Sequence, residues 1–505
     1  MNDAKSERKW DPPLSTGIAG LDNILCGGLD ADRIYLVEGE PGTGKTTLAL
    51  QYLLEGARRG EKGLYVTLSE SERELRLVAE RHGWSIDQFS VFELVPPEAS
   101  LDPERELTLF HPAELELSET SKLILDRVNE VAPSRVVFDS LSEMRLLAQN
   151  SLRYRRQILA LKHFFAGRRC TVLFLDDFSA EKGDLQLHSI AHGVISLHQA
   201  ALDYGAERRR LRVKKMRGIK FRGGYHDFII ETGGLNIFPR LIAAEHHKAF
   251  VGELAKSGTA ELDALLGGGL ERGTSALLVG GAGVGKSSIA VTYGVAAAER
   301  GESVAMFAFD EGLGTLYARA TGLGIDLKGY VERGLITVQQ IDPAEMSPGE
   351  FTQLVRDAVE KRNVRMLLID SLNGYLNSMP DERFLLLQMH ELLAYLNQLG
   401  VLTMMVLAQH GMLGQMQTPI DLSYLSDAVI MLRYFEAGGR IRRAISVVKK
   451  RSGIHEDTIR EFQLTSEGLK VGPPLTDFNG ILTGTPTYVG DYRPLMSEKE
   501  HGRVS

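Results

Sequence analysis

The chain has 505 residues, 43% apolar and 25% charged, enough for two or three soluble domains with substantial cores. Its formal net charge of −8 argues against a protein whose main task is to coat nucleic acid, and no run approaches the roughly 18 apolar residues of a membrane helix. Cys26 and Cys170 lack metal-ligand spacing and lie beside apolar residues, so they read as buried free thiols; with no apolar signal segment in Met1 to Asp11, a cytoplasmic protein is expected.

In chain order, Ser15-Thr16-Gly17-Ile18-Ala19-Gly20-Leu21-Asp22 leads into a glycine pair, Gly27-Gly28, and then a short apolar run, Ile34 to Val37. That run reads as a buried strand. Gly39 to Thr46 follows and fits G-x-x-x-x-G-K-[ST], and Thr47 to Leu54 reads as a helix. Strand, glycine loop and helix together form a phosphate-binding loop. Its backbone N–H groups turn toward phosphate oxygens, and the helix N-terminus adds the positive end of its dipole. Gly42, Thr43, Gly44, Lys45, Thr46 and Thr47 are expected around the phosphates of ATP, with Lys45 on the β/γ-phosphates and the Thr46 hydroxyl on Mg²⁺. Gly63 to Leu68 reads as the next strand, Arg73 to Arg81 as a helix ended at Gly83, and Cys170 to Leu175 as another buried strand.

The pattern then returns. Ser257-Gly258-Thr259-Ala260-Glu261-Leu262-Asp263 precedes Gly267-Gly268-Gly269 and a second loop, Gly280 to Ser287. Gly283, Val284, Gly285, Lys286, Ser287 and Ser288 repeat the phosphate-facing positions. Lys45 and Lys286 stand 241 residues apart, the strand-ending Asp139 and Asp370 231, and Lys215 and Lys449 234. Three features in one order at nearly one spacing mean two copies of one domain. Near-continuous apolar strands alternating with helices imply an α/β fold with a mainly parallel sheet covered on both faces. The boundary is placed at 242/243, with a flexible tail from about 473 that is rich in Pro, Gly and charge.

Asp139 and Asp370 end apolar strands, where a carboxylate faces the phosphates and holds Mg²⁺; a helix cap is the plainer alternative. Glu70, Asp310 and Glu311 follow the neighbouring strand of each half and are candidates to polarise the attacking water, or else capping acids. Lys215 and Arg217, like Lys449 and Arg451, end strand-like runs with both members on one face. They are either cations for a neighbour's γ-phosphate or part of a solvated edge strand. The run Arg208 to Lys215 could touch DNA, but without interleaved aromatics it reads rather as a charged sheet edge.

These residues carry a resemblance. The loops GEPGTGKT and GGAGVGKS, the strands VVFDSLSE and LLIDSLNG, and the stretch AISVVKKRSGIHEDTIREF resemble the KaiC family of double RecA-like ATPases, from about Ser15 to Tyr488. The resemblance implies two tandem RecA-like domains, a two-tier homohexamer with ATP at subunit interfaces, slow hydrolysis, and autokinase activity in the C-terminal half. It places Lys215/Arg217 and Lys449/Arg451 where the family senses the neighbour's γ-phosphate. The family's clock members carry a glutamate pair after the second strand of each half; here the pairs are Ser69-Glu70 and Asp310-Glu311. Their adjacent Ser-Thr phosphosites align with Ser423-Tyr424, which leaves Ser423 as phosphoacceptor, with Thr418 and Ser426 as nearby alternatives. The short tail speaks against a KaiA-type partner, while a KaiB-like or signalling partner stays open. Two rival readings remain, a DNA-dependent RecA-type motor and a nucleotide-gated scaffold.

Overall fold

The computed structural model describes residues 12–94, 112–148, 150–178, 185–201, 204–376, 382–409, 423–482 and 486–490. The chain divides into two compact units, Met1–Arg240 and Leu241–Ser505.

The first unit is built on nine strands: β1 (Ile34–Gly39), β2 (Gly63–Thr67), β3 (Ser90–Glu93), β4 (Arg135–Asp139), β5 (Thr171–Asp177), β6 (Gly193–Ala200), β7 (Arg208–Met216), β8 (His226–Glu231) and β9 (Gly234–Phe238). They form one sheet in the order β3-β2-β4-β5-β1-β6-β7-β8-β9. From β3 to β6 all neighbours are parallel; β7, β8 and β9 extend the sheet antiparallel. β1 and β2 are buried along their whole length, as strands with helices on both faces must be. Two apolar clusters fill the two faces, one around Tyr35, Val37 and Leu53, the other around Leu36, Phe138 and Phe174.

The second unit repeats this plan. A two-stranded ribbon, β10 (Leu254–Ala255) and β11 (Leu270–Glu271), precedes β12 (Ser275–Gly280), β13 (Val304–Ala308), β14 (Ile336–Gln340), β15 (Met366–Asp370), β16 (Leu402–Ala408), β17 (Ala428–Ala437), β18 (Arg440–Lys450), β19 (Arg460–Thr465) and β20 (Gly468–Pro474). Their order, β14-β13-β15-β16-β12-β17-β18-β19-β20, is the first sheet again. The duplicated lead-in has a local cause. Asp22 Oδ1 accepts from the Thr16 N–H at 2.8 Å, and Asp263 Oδ1 accepts from the Ser257 N–H at 2.7 Å. In both units the aspartate closes a turn whose glycine, Gly17 or Gly258, has positive φ.

Three expectations need correction. The first half of the basic run Arg208 to Lys215 is not a sheet edge, because β8 pairs with Arg209 to Leu211 on the side away from β6 and the Arg208 side chain is buried. An alternation of long charged and apolar residues suits an inner strand when the charged heads leave past the ends of their neighbours. Cys170 is buried, but Cys26 is exposed, held at positive φ in the turn that closes with Gly27-Gly28. The tail does not loosen at 473. β20 runs to Pro474, β21 (Phe478–Asn479) pairs with β22 (Thr487–Tyr488), and Phe478 and Ile481 pack with Phe435.

Candidate active sites

Each phosphate loop joins a central strand to a helix, β1 to Lys45–Arg58 and β12 to Lys286–Glu299. The residue before each helix is a left-handed glycine, Gly44 (φ 98°) or Gly285 (φ 115°), and neither helix has a side-chain cap. The first N–H groups of both helices are therefore open to an anion. Lys45 Nζ donates to Gly39 O (2.9 Å) and Glu40 O (3.0 Å), and Lys286 Nζ to Gly280 O (2.9 Å) and Gly281 O (2.8 Å). Both ammonium groups thus sit inside the loop with few other ligands, a cradle fitted to phosphate oxygens. Burial lowers Lys286 to about 8.

The strand-end aspartates stand beside these loops. Thr46 Oγ1 donates to Asp139 Oδ2 at 3.2 Å, and Tyr65 donates to the same carboxylate. A Ser287 hydrogen bond reaches Asp370. Burial raises both carboxyls, and their hydroxyl partners oppose it. A hydroxyl beside a carboxylate suits the hard Mg²⁺ ion, which keeps waters and takes its remaining ligands from phosphate. Among the described residues no cluster of three or more His, Cys, Asp or Glu could hold a metal by itself.

The candidate bases differ between halves. Glu70 is not the cap of the following helix: Ser71 is, with Glu74 closing the box. Glu70 Oε2 is buried without a hydrogen-bond partner, and its carboxyl is raised by burial and by the charges of Asp139 and Glu74. Asp310 accepts from the Ser371 hydroxyl. Glu311 lies under Arg319, with Nη2 at 2.5 Å from Oε2 and Nε at 3.2 Å from Oε1. Arg319, Arg443, Glu311, Lys286 and Asp370 line one cleft of about 590 Å³, a nucleotide-sized space.

The paired cations lie elsewhere. Lys215 donates to the carbonyls of His188 and Ala191, and Arg217 to that of Ser189 at 2.7 Å. Lys449 donates to Ser426 O at 2.7 Å; Arg451 binds Asp427 Oδ1 at 3.2 Å and Tyr424 O at 3.0 Å. Each pair does share one side. The register sets both pairs at the end of the sheet opposite their own phosphate loop. Lys215 is level with Val194 and Lys449 with Val429, near Tyr35 and Ala276 at the beginnings of β1 and β12. The loops leave from the far ends, Gly39 and Gly280.

The chain belongs to the KaiC ATPase family. The family model described as "ATPase: KaiC" matches residues 14–242 and 255–476, one copy per unit. Circadian clock protein KaiC3 of Synechocystis sp. is 29% identical over 485 residues, covering 94% of each chain. The circadian clock oscillator proteins KaiC of Parathermosynechococcus lividus and Picosynechococcus sp. are 26% and 27% identical, over 96% and 94% of this chain and 90% and 92% of theirs. A KaiC-family ATPase with two RecA-like domains is thus the frame for the remaining site residues.

Among the acceptor candidates, Ser423 opens a short 3-10 turn, Ser423–Leu425. Thr418 lies outside the described residues, and Ser426 is fully buried. Several site residues were not picked out from the sequence. Asp177 ion-pairs with Lys45 at 2.8 Å; as an acid ending an apolar strand, it gave the same signal as Asp139. Glu38, one residue before the first loop, is buried among His188, Ser196 and Lys214. Its partners come from distant segments, so no local pattern announces it. Arg319 gave only the weak signal of a cation one helix beyond a candidate base.

Proposed function

We propose that this chain is a ring-forming ATPase whose pockets are completed by the adjoining copy, with serine autokinase activity in its C-terminal half. Thr46 and Asp139 in one pocket, and Ser287 and Asp370 in the other, would hold Mg²⁺, which would supply neutralisation of phosphate charge. Glu70 and Glu311, the latter with Asp310 beside it, orient and polarise water for attack on the γ-phosphorus. Lys215/Arg217 and Lys449/Arg451 stabilise the charge that grows on a neighbour's γ-phosphate.

The observation that carries this reading is the placement of the cation pairs at the sheet end away from their own loops. A pair so placed has no route to the phosphates of its own domain. The Ser423 turn lies at that same end: Asp427 N donates to Ser275 O at 2.8 Å, and Arg451 holds Tyr424 O. A hydroxyl there would meet the γ-phosphate of an adjoining copy and accept it in place of water. Relatives named as circadian clock proteins support clock-like regulation; six copies in two tiers, a cytoplasmic location and a KaiB-like or signalling partner belong to the same reading. Among the described residues no helix is long and apolar enough to cross a membrane.

Mass spectrometry of the intact assembly with ATP tests the ring: hexamers carrying two nucleotides per chain are expected, and monomers with enclosed ATP would overturn it. Incubation with γ-labelled ATP and peptide mapping tests the kinase. Label is expected between Thr418 and Ser426, and its absence there would reject that half of the proposal.

A further inference from the structure

The two pockets share a frame, so the places where they differ can be matched residue by residue. β2 and β13 each run beside the strand that ends in the metal-site aspartate, with Thr67 level with Asp139 and Ala308 level with Asp370. Glu70 and Glu311 each stand three residues beyond those strand ends, and Val78 and Arg319 eleven beyond. In the N-terminal unit the carboxylate therefore has an apolar side chain at the matching place, and its buried Oε2 has no hydrogen-bond partner. In the C-terminal unit a guanidinium takes both carboxylate oxygens, at 2.5 and 3.2 Å, and is itself fixed by its Nη1 donating to Ser288 Oγ at 3.0 Å. Ser288 is the third residue of the phosphate-loop helix, so the clamp is anchored to the loop that binds nucleotide.

In hydrolysis the oxygen of water bonds to the γ-phosphorus as the bond to the ADP oxygen breaks. The water proton passes toward the carboxylate and leaves with inorganic phosphate or solvent. A carboxylate that already accepts two charge-assisted hydrogen bonds has fewer lone pairs to aim at water.

We propose that Arg319 is a positioning residue that restrains Glu311 and so slows hydrolysis in the C-terminal pocket. This rests on the reading of Glu70 and Glu311 as the water-polarising groups.

The test uses the full chain with Lys45→Ala, so that ADP release reports the C-terminal pocket. Arg319→Val, which installs the residue of the other half, is expected to raise turnover about tenfold. The gain should appear in kcat with the KM for ATP unchanged, as expected when only the partner of the attacking water is released. Arg319→Lys, which keeps a cation but loses the fork, should fall between. Unchanged or reduced turnover with ATP affinity intact would overturn the proposal. Should Arg319→Val fail to fold or bind ATP, the reciprocal Val78→Arg in a Lys286→Ala chain decides: slowed N-terminal turnover supports the clamp, and an unaltered rate removes it. Glu311→Gln keeps the two levels apart. If it leaves C-terminal turnover unchanged, the assignment of the base itself is wrong; if it abolishes turnover while Arg319→Val does nothing, only the clamp is lost.

Discussion

Completion of the pocket by a neighbour can be tested with two defective chains. One carries Lys215→Ala and Arg217→Ala; the other carries Lys45→Ala. Both also carry Glu311→Gln, so that release of ADP reports the N-terminal pockets above a constant background. The magnitudes follow from the sheet. Met216 is level with Gly193, and Gly193 with Tyr35. From Tyr35 to Gly39 the strand advances about 13 Å at roughly 3.3 Å per residue, and the phosphate loop begins only there. A lysine side chain spans only about 6 Å. Lys215 is in any case held by carbonyls of the helix Leu185–Ile190 and the residue after it. Each parent should therefore lose N-terminal turnover by on the order of 10³, the effect of removing a trans cation.

After subunit exchange at equal amounts, a pocket works when its own chain keeps Lys45 and its neighbour keeps Lys215 and Arg217. Each condition is met in half the cases, so the mixture should recover about a quarter of wild-type N-terminal turnover. If the cations acted within their own chain, no chain in the mixture would hold a complete set and recovery would be nil. Mixed rings verified by intact-assembly mass that stay at the parental rate would refute the reasoning.

Three other outcomes follow. Burial places the Lys286 ammonium at about 8, so ATP affinity at the second pocket, measured in a Lys45→Ala chain with a fluorescent nucleotide, should fall as pH rises through that value; a flat profile from pH 7 to about 9.5 would contradict it. Burial alone would raise Glu38, but hydrogen bonds from His188, Lys214 and Ser196 outweigh it and hold the carboxyl at about 2. A depressed folded-state value stabilises above the unfolded value near 4.5 and fades as pH falls toward 2. The stability difference between wild type and Glu38→Gln should therefore be no more than about 3 kcal/mol at neutral pH and should shrink below about pH 4.5; a difference independent of pH in calorimetry would count against the network. Gly44→Ala puts a side chain at φ 98° with its Cβ 2.6 Å from Ile230 Cδ1, so a cost of about 1–2 kcal/mol and loss of nucleotide at the first pocket are expected from thermal unfolding with and without ATP.

What could be read in advance, and what could not, divides along the range of the interactions. The phosphate loops, the strand-end acids Asp139 and Asp370, and the buried strands each announce themselves within a few residues, because local geometry fixes them. The cation pairs were legible as pairs, but their distance from their own loops depends on which strand lies beside which. The first half of the run Arg208 to Lys215 was misplaced for that reason, since an edge strand and an inner strand with snorkelling arginines have the same alternation. The tail was misread by composition, although Leu475, Phe478 and Ile481 supply the apolar spacing that ties it to Phe435 and its neighbours. Cys26 was misread through Leu25, whereas the glycine pair after it was the better guide.

The duplication makes such misses informative. Glu38 corresponds to Val279, both directly before the first glycine of their loops, and Asp177 corresponds to Ala408, both level with that glycine. Tyr65, which donates to Asp139, corresponds to Met306, both level with the central residue of the strand that ends in Asp139 or Asp370. Val78 corresponds to Arg319. At three of these places the first half has a polar or acidic group where the second has an apolar one; at the fourth the order is reversed, and there the charge falls on the candidate base. Lys45 therefore meets a carboxylate that Lys286 does not, and Glu311 meets a cation that Glu70 does not. A frame kept nearly constant while the charges around its two loops are exchanged argues that the pockets handle one nucleotide in two ways. A chain given Val78→Arg and Arg319→Val together should then exchange the rates of its two pockets.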